Sequence, residues 1–255
     1  MAERLTNYTI GESTELPSGG QIYSVQMPRL VELRSMTARD EMKRLSPSTT
    51  QFKNLADIIE GCLIEKLPVH VYDLACGDYE YLLHKLRVVT YGKEYLMSVR
   101  CPHCGQSFDA SADLESLEVK EFDVDTFNNL RTFVLPKSNH TVTIKFQTPR
   151  MLDEIEMREK ELKRKYKDAT VDLGLLVFLS TVIESVDGMK LDPVRMESFI
   201  NTLPALDTIK IVNTVDKLNN MVGVDSLIHV TCSKCGGEVP TYFRFGPEFF
   251  RPTNI

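Results

Sequence analysis

Four of the six cysteines in this 255-residue chain form two matching pairs. Cys101 and Cys104 make the first C-x-x-C pair, Cys232 and Cys235 make the second, and a glycine follows each pair. Two intervening residues let both thiolates of a pair face one ion, while the glycine permits a positive φ where the turn ends. The pattern therefore predicts one structural zinc ion bound by all four thiolates.

Each pair lies between two strand-like stretches, which predicts the two halves of a zinc ribbon over residues 94–110 and 228–245. The pairs are separated by 127 residues, whereas ordinary ribbons use roughly 15–20. The site can close only if the inserted residues start and end at nearly the same point. Four thiolates leave no open coordination position, so such a zinc stabilises structure and does not catalyse.

Three other interpretations of the cysteine pairs remain open. They are an iron centre of the rubredoxin kind, a thioredoxin-like redox pair, and a remnant without metal; the redox pair lacks a surrounding βαβ pattern. His103 lies inside the first pair, but we expect it to be exposed and not a ligand, because four thiolates already fill the shell. Cys62 and Cys76 are expected to be core thiols.

Composition restricts the class of protein. The chain has 42% hydrophobic and 26% charged residues and a net charge of −6, which is typical of a soluble protein and argues against a general nucleic-acid binder. The first residues lack the apolar core of a signal peptide, and no run reaches the roughly 18 apolar residues needed to cross a membrane. The cysteine usage suits synthesis in a reducing cytoplasm.

The periodicity of apolar residues predicts an α+β fold. Helices are expected over residues 52–67, 79–89, 150–167, 171–186, 194–203 and 205–221, with Thr37 and Asp78 as caps, and strands over 30–36, 94–100, 132–135 and 141–146. The acidic stretch 109–125 is expected at the surface. The segments are an extended arm (1–26), a mainly helical region (27–93), an inserted hairpin plus helical domain (111–227) and a C-terminal tail (246–255).

The chain shows no sequence motif typical of an enzyme. Phosphate-binding loops, nucleophile elbows and H-E-x-x-H motifs are absent from the sequence, and the five histidines are scattered, so we expect no catalysis. Aromatic and basic residues are dense between Tyr242 and Arg251. That density keeps a zinc-ribbon nucleic-acid-binding or transcription-related module as an alternative, although such aromatics more often dock on a neighbouring subunit or the chain's own core.

Several short motifs resemble a phage protein family. They are the leucine-proline-serine-glycine run at Leu16–Gly19, the strand and acidic helix start at 31–41, and Tyr91-Gly92-Lys93-Glu94-Tyr95 leading into the first cysteine pair. Residues 14–110 and 228–245 resemble the baseplate hub protein family of contractile-tailed, T-even-like bacteriophages.

The resemblance implies a structural or assembly component of the tail baseplate, made in the host cytoplasm and located in the virion. Its partners would be other baseplate, hub or tail proteins, and a homo-oligomer stays open. The arm and the C-terminal tail are expected to become ordered on those partners. A tail-assembly chaperone that leaves before the virion is complete is a third candidate.

Overall fold

The computed structural model describes residues 11–166, 173–243, 245 and 247–250, which form the α+β fold that the sequence predicts. The helices are α1 (Ala38–Arg44), α2 (Gln51–Cys62), α3 (Cys76–Tyr91), α4 (Val124–Arg131), α5 (Pro149–Lys165), α6 (Leu173–Val182), α7 (Pro193–Thr202) and α8 (Ala205–Asn220). The strands are β1 (Gly11–Thr14), β2 (Val31–Arg34), β3 (Glu94–Arg100), β4 (Ser107–Asp113), β5 (Thr132–Val134), β6 (Thr141–Ile144), β7 (Ile183–Val186), β8 (Leu227–Thr231) and β9 (Glu238–Tyr242). No helix in the described ranges is long and apolar enough to cross a membrane.

The first hydrophobic core is built on α2 and α3. The apolar period of α2 buries Leu55, Ile58, Ile59 and Cys62, so the prediction of a core thiol at Cys62 is confirmed. The predicted end of this helix at residue 67 is wrong, because the chain leaves it after Cys62. Leu63 then bridges Leu33, and the Ile64 N–H donates to the Glu32 carbonyl. Pairing with the free edge of β2 ends the helix.

The prediction of an extended arm is wrong for the described residues 11–26. Gly11–Thr14 pairs with β2 in an antiparallel sheet, and Leu16 is only 4% exposed. Ser18 donates from its N–H and its hydroxyl to Asp78 at 2.9 and 2.5 Å, and the Tyr23 hydroxyl donates to Asp78 at 2.5 Å. Hydrogen bonds, and not a continuous apolar face, hold much of this segment in place, so its sequence shows no apolar periodicity. Residues 1–10 lie outside the described ranges.

Asp78 is not the predicted cap. Helix α3 begins at Cys76, three residues earlier than expected, so Asp78 lies within its first turn and is fully buried. Burial raises the pKa of this carboxyl, although the hydrogen bonds from Ser18 and Tyr23 lower it in part. The positive end of the helix also favours a carboxylate here. Asp78 therefore links the N-terminal turn to α3.

The C-terminal aromatic residues also belong to the first core. Phe249 and Phe250 are at most 1% exposed, and the Phe249 ring lies 5.3 Å from that of Tyr95 and 5.2 Å from that of Phe245. The prediction that the tail from residue 246 becomes ordered only on partners is therefore wrong for these two rings. The two rings are buried in the core of their own chain, which is one of the two locations that the sequence analysis expects for such a dense aromatic segment.

A second core is formed by α4–α8 and the antiparallel sheet β5-β6-β7. The hairpin β5–β6 is confirmed, but the predicted helix over 171–186 is wrong in its last turn: α6 ends at Val182, and Ile183–Val186 pairs with β6. Two β-branched side chains, Ile183 and Val186, are buried in this strand. Positions 167 and 171–172, where two helices were predicted to extend, lie outside the described ranges.

The acidic stretch after the first cysteine pair has exposed side chains, as predicted, but its backbone is not a loop throughout. It continues as β4 to Asp113 and then forms a short 3-10 turn that buries Leu114.

A buried aspartate of α8 holds the β5–β6 hairpin of the second core. The N–H groups of Lys137 and Ser138 donate to Asp207, each at 2.8 Å. Burial raises the pKa of Asp207, but these hydrogen bonds outweigh it and the net pKa is lowered.

One buried carboxylate joins the two cores. Asp153 of α5 accepts hydrogen bonds from the Lys53 N–H at 2.9 Å, the Phe52 N–H at 3.4 Å and the Tyr72 hydroxyl at 2.8 Å. Thr50 stands at the N-cap of α2 but its side chain makes no capping bond. Asp153, which is 100 positions from Lys53 in the sequence, thus accepts hydrogen bonds from the free N–H groups at the start of α2.

The inserted segment starts and ends at one point, which the split ribbon requires. Val119 and Val224 form an antiparallel bridge, with hydrogen bonds from Lys120 N–H to Gly223 at 3.0 Å and from Asp225 N–H to Glu118 at 2.8 Å. The start of α3 packs directly against this crossing. A Cβ on Gly77 would lie 2.2 Å from the carbonyl oxygen of Val222. Only glycine fits there.

We expect Gly77→Ala to lower the free energy of unfolding by about 2 kcal/mol or more, because the added methyl group must push two backbones apart. Gly61→Ala is the matched control: its new Cβ would meet nothing closer than 4.0 Å, and alanine favours the helix by ~0.5–1 kcal/mol. Urea denaturation of both variants measures the difference. Equal effects would contradict the close backbone approach at Gly77.

Asp153→Ala should lower the free energy of unfolding by about 2–3 kcal/mol, because it leaves the two N–H groups of α2 and the Tyr72 hydroxyl without their acceptor. Replacement of the exposed Glu161 on the same helix by alanine should change it by less than about 0.5 kcal/mol. Thermal and urea unfolding give both values. A neutral Asp153→Ala variant would exclude capping of α2 from α5.

Candidate metal centre

The two cysteine pairs lie in hairpin turns with the same backbone geometry. In the first, the Cys101 N–H donates to Gln106 and the Gly105 N–H donates to Cys101, both at 2.9 Å. In the second, Cys232 donates to Gly237 and Gly236 to Cys232, again at 2.9 Å. The closing glycines have φ of 73° and 72°, a left-handed conformation that side chains disfavour. Each turn is therefore a knuckle that presents two sulfurs.

Tertiary folding brings the four sulfurs together. The Sγ atoms of Cys101 and Cys235 are 3.7 Å apart, those of Cys104 and Cys232 are 3.9 Å apart, and all four lie within 4.8 Å of one another. A tetrahedron with zinc–sulfur bonds of ~2.3 Å has sulfurs about 3.8 Å apart. Sulfurs joined in a disulfide would be at ~2.05 Å. The cluster thus has the dimensions of a four-thiolate metal site.

Each knuckle contributes one buried and one exposed cysteine. Cys101 and Cys232 are at most 1% exposed and rest on a small third core, whereas Cys104 and Cys235 face solvent. The third core consists of the side chains that alternate inward along the ribbon strands, Val99, Phe108, Val230 and Val239 among them. This core fixes the angle between the two hairpins, and so the separation of the sulfur pairs.

The two thiols of the second knuckle have pKa values that are shifted in opposite directions. Burial raises the pKa of Cys232, but the N–H groups of Lys234 and Cys235 and the thiols of Cys101 and Cys235 lower it, to about 7 in all. The pKa of Cys235 moves the other way, to about 12: the Gly237 N–H lowers it, while burial and the neighbouring sulfurs raise it by more. A cation in the cluster would favour the thiolate form of both residues.

His103 is exposed, as the sequence predicts, and its ring nitrogen is engaged elsewhere. Nε2 donates to the Glu238 carbonyl at 3.0 Å, across the gap between the knuckles. The other four histidines have partners of their own. His70 accepts from the Tyr72 N–H, His84 bonds to the Leu114 carbonyl, and His140 and His229 pair with the side chains of Asp187 and Glu238. No sequence pattern predicts the bond from His103, because its acceptor is a backbone carbonyl 135 positions away.

The other cysteines lie away from the cluster. Burial raises the pKa of Cys62 to about 11 and also raises that of Cys76, so neither thiol is activated. Within the described residues, the four knuckle cysteines are the one group of three or more histidine, cysteine or acidic side chains close enough to hold a metal. A cavity of about 1100 Å³ lies between α5, α6 and α7 and is bordered by Tyr166 and Leu173.

Fold and site together define an α+β protein whose four-cysteine cluster, compatible with a zinc ribbon, closes a long insertion. Residues 9–251 match the family model described as T4 bacteriophage base plate protein. The chain therefore belongs to the T4 bacteriophage base plate protein family, which confirms the resemblance at the level of a baseplate protein. Neither the curated proteins nor the solved structures contain a match.

Proposed function

We propose that this protein is a structural component of the hub of a contractile phage tail baseplate, located in the virion and acting through contacts with other tail proteins. Membership of the baseplate family supports this role. Two buried carboxylates, Asp78 and Asp153, each accept three hydrogen bonds that hold segments of the chain together. A scaffold without catalysis accounts for such a distribution of polar groups.

The same proposal assigns one zinc ion to Cys101, Cys104, Cys232 and Cys235. The sulfur separations of 3.7 and 3.9 Å fit the coordination tetrahedron. When bound, the ion supplies the positive charge that keeps four thiolates deprotonated side by side. The knuckle N–H groups share that task, as the bond from the Lys234 N–H to the Cys232 sulfur at 3.4 Å illustrates. Binding would stabilise the ribbon by on the order of 10 kcal/mol.

Metal analysis of the purified protein tests the zinc assignment. Native mass spectrometry should show one zinc per chain, and Cys101→Ser and Cys232→Ser should each abolish it, because the two knuckles share one ion. Cys62→Ala, which removes a buried thiol far from the cluster, should keep the full zinc content. Iron in place of zinc, or two partly occupied ions that each survive one of the serine substitutions, would refute the shared zinc site.

The location of the protein tests the hub assignment. Mass spectrometry of gradient-purified phage particles should detect it at a fixed ratio to the other baseplate proteins, and phage that lack it should accumulate incomplete baseplates. Lysates of infected cells provide the control for expression. A protein abundant in those lysates but missing from particles would instead be a transient assembly chaperone, and the structural role would be withdrawn.

A further inference from the structure

The ring of His103 spans the two knuckles. Besides its bond to the Glu238 carbonyl, the ring packs closely against Gly237, the residue just after the second knuckle. A Cβ on Gly237 would lie 2.7 Å from Cδ2 of the ring and 3.2 Å from Cγ. The fit requires glycine at 237, although φ at this residue is not in the left-handed region. Close packing and the hydrogen bond both fix the ring.

The two knuckles are unequal in this respect. His103 and Lys234 occupy the same position in their C-x-x-C turns, directly before the second cysteine. His103 reaches across to the opposite knuckle, whereas the Lys234 side chain makes no corresponding hydrogen bond to the first knuckle among the described residues. The direct polar link between the knuckles, apart from the sulfurs themselves, thus comes from the first one.

We propose that His103 is a positioning residue for the metal site, which locks the second knuckle against the first without coordinating the ion. The proposal rests on the zinc assignment above. Nε2 cannot serve as a ligand while it donates to Glu238, and four sulfurs already supply a full tetrahedral shell. The His103 side chain would affect how readily the two knuckles separate.

Release of a bound ion would require one knuckle to move away from the other. Each knuckle is carried on its own two-stranded sheet, and the described residues that oppose this movement near the cluster are the packed side chains of the third core and His103. Outer-shell hydrogen bonds of this kind are known to raise metal affinity in proteins. Removal of the imidazole therefore accelerates metal release and leaves the ligand set intact.

The test uses the full zinc-loaded chain and an excess of the chromogenic chelator 4-(2-pyridylazo)resorcinol. His103→Ala should release zinc about 3- to 10-fold faster than the unmodified protein, the range expected for one lost hydrogen bond. His103→Gln places an amide nitrogen near the position of Nε2 and should restore slow release. His103→Asn can mimic only Nδ1, so it should behave like alanine. His140→Ala, which removes a partly exposed histidine of the second core, is the matched control.

Two further measurements separate positioning from ligation and from zinc binding itself. Cobalt-substituted protein should show the same four-thiolate absorption bands with and without His103; a changed spectrum would make His103 a ligand and overturn the proposal. Gly237→Ala should accelerate release in the unmodified protein but add little in His103→Ala. Zinc release unchanged in all His103 variants would overturn the proposal while the zinc site stands, whereas a chain that binds no zinc would overturn both.

Discussion

The fold depends on one backbone crossing, where the chain leaves for its insertion and returns. The bridge between Val119 and Val224 and the contact of Gly77 with Val222 involve residues only two positions apart on the returning chain. The chain enters and leaves the second core, with its five helices and one sheet, at this crossing. The two knuckles can face each other because the segments that connect them to the second core run side by side there. A 127-residue interruption of a small ribbon is tolerated because its ends coincide.

Single buried carboxylates fasten the parts that apolar packing alone does not. Asp78 holds the N-terminal turn to α3, Asp153 holds α5 to the start of α2, and Asp207 holds the β5–β6 hairpin to α8. Each accepts at least one backbone N–H, so each acts on the course of the chain and not merely on a neighbouring side chain. Such bonds are directional, and those of Asp153 orient the second core on the first more strictly than contacts between apolar faces could.

The sequence allowed prediction of what depends on local spacing. The knuckles, α5, α8 and the β5–β6 hairpin follow from the pattern of cysteines, from apolar period and from turn residues, all of which act over a few positions. The apolar run predicts a helix over Ile183–Val186, because the run does not reveal that β6 pairs with a second strand besides β5. The packing of residues 11–26 and of Phe249 cannot be predicted for a similar reason. Their partners lie far away in sequence, and a single aspartate or ring leaves no periodic trace.

The separation of the knuckles also sets an order of events during synthesis. At ~5–20 residues per second, the ribosome delivers the second pair of cysteines about 6–25 s after the first. Throughout that interval Cys101 and Cys104 have no partners, while the residues of the second core emerge and can fold. The four-sulfur cluster can form only after the second core has been synthesised and the insertion has returned to its starting point. Assembly of the cluster therefore reports that the domain between its halves has folded.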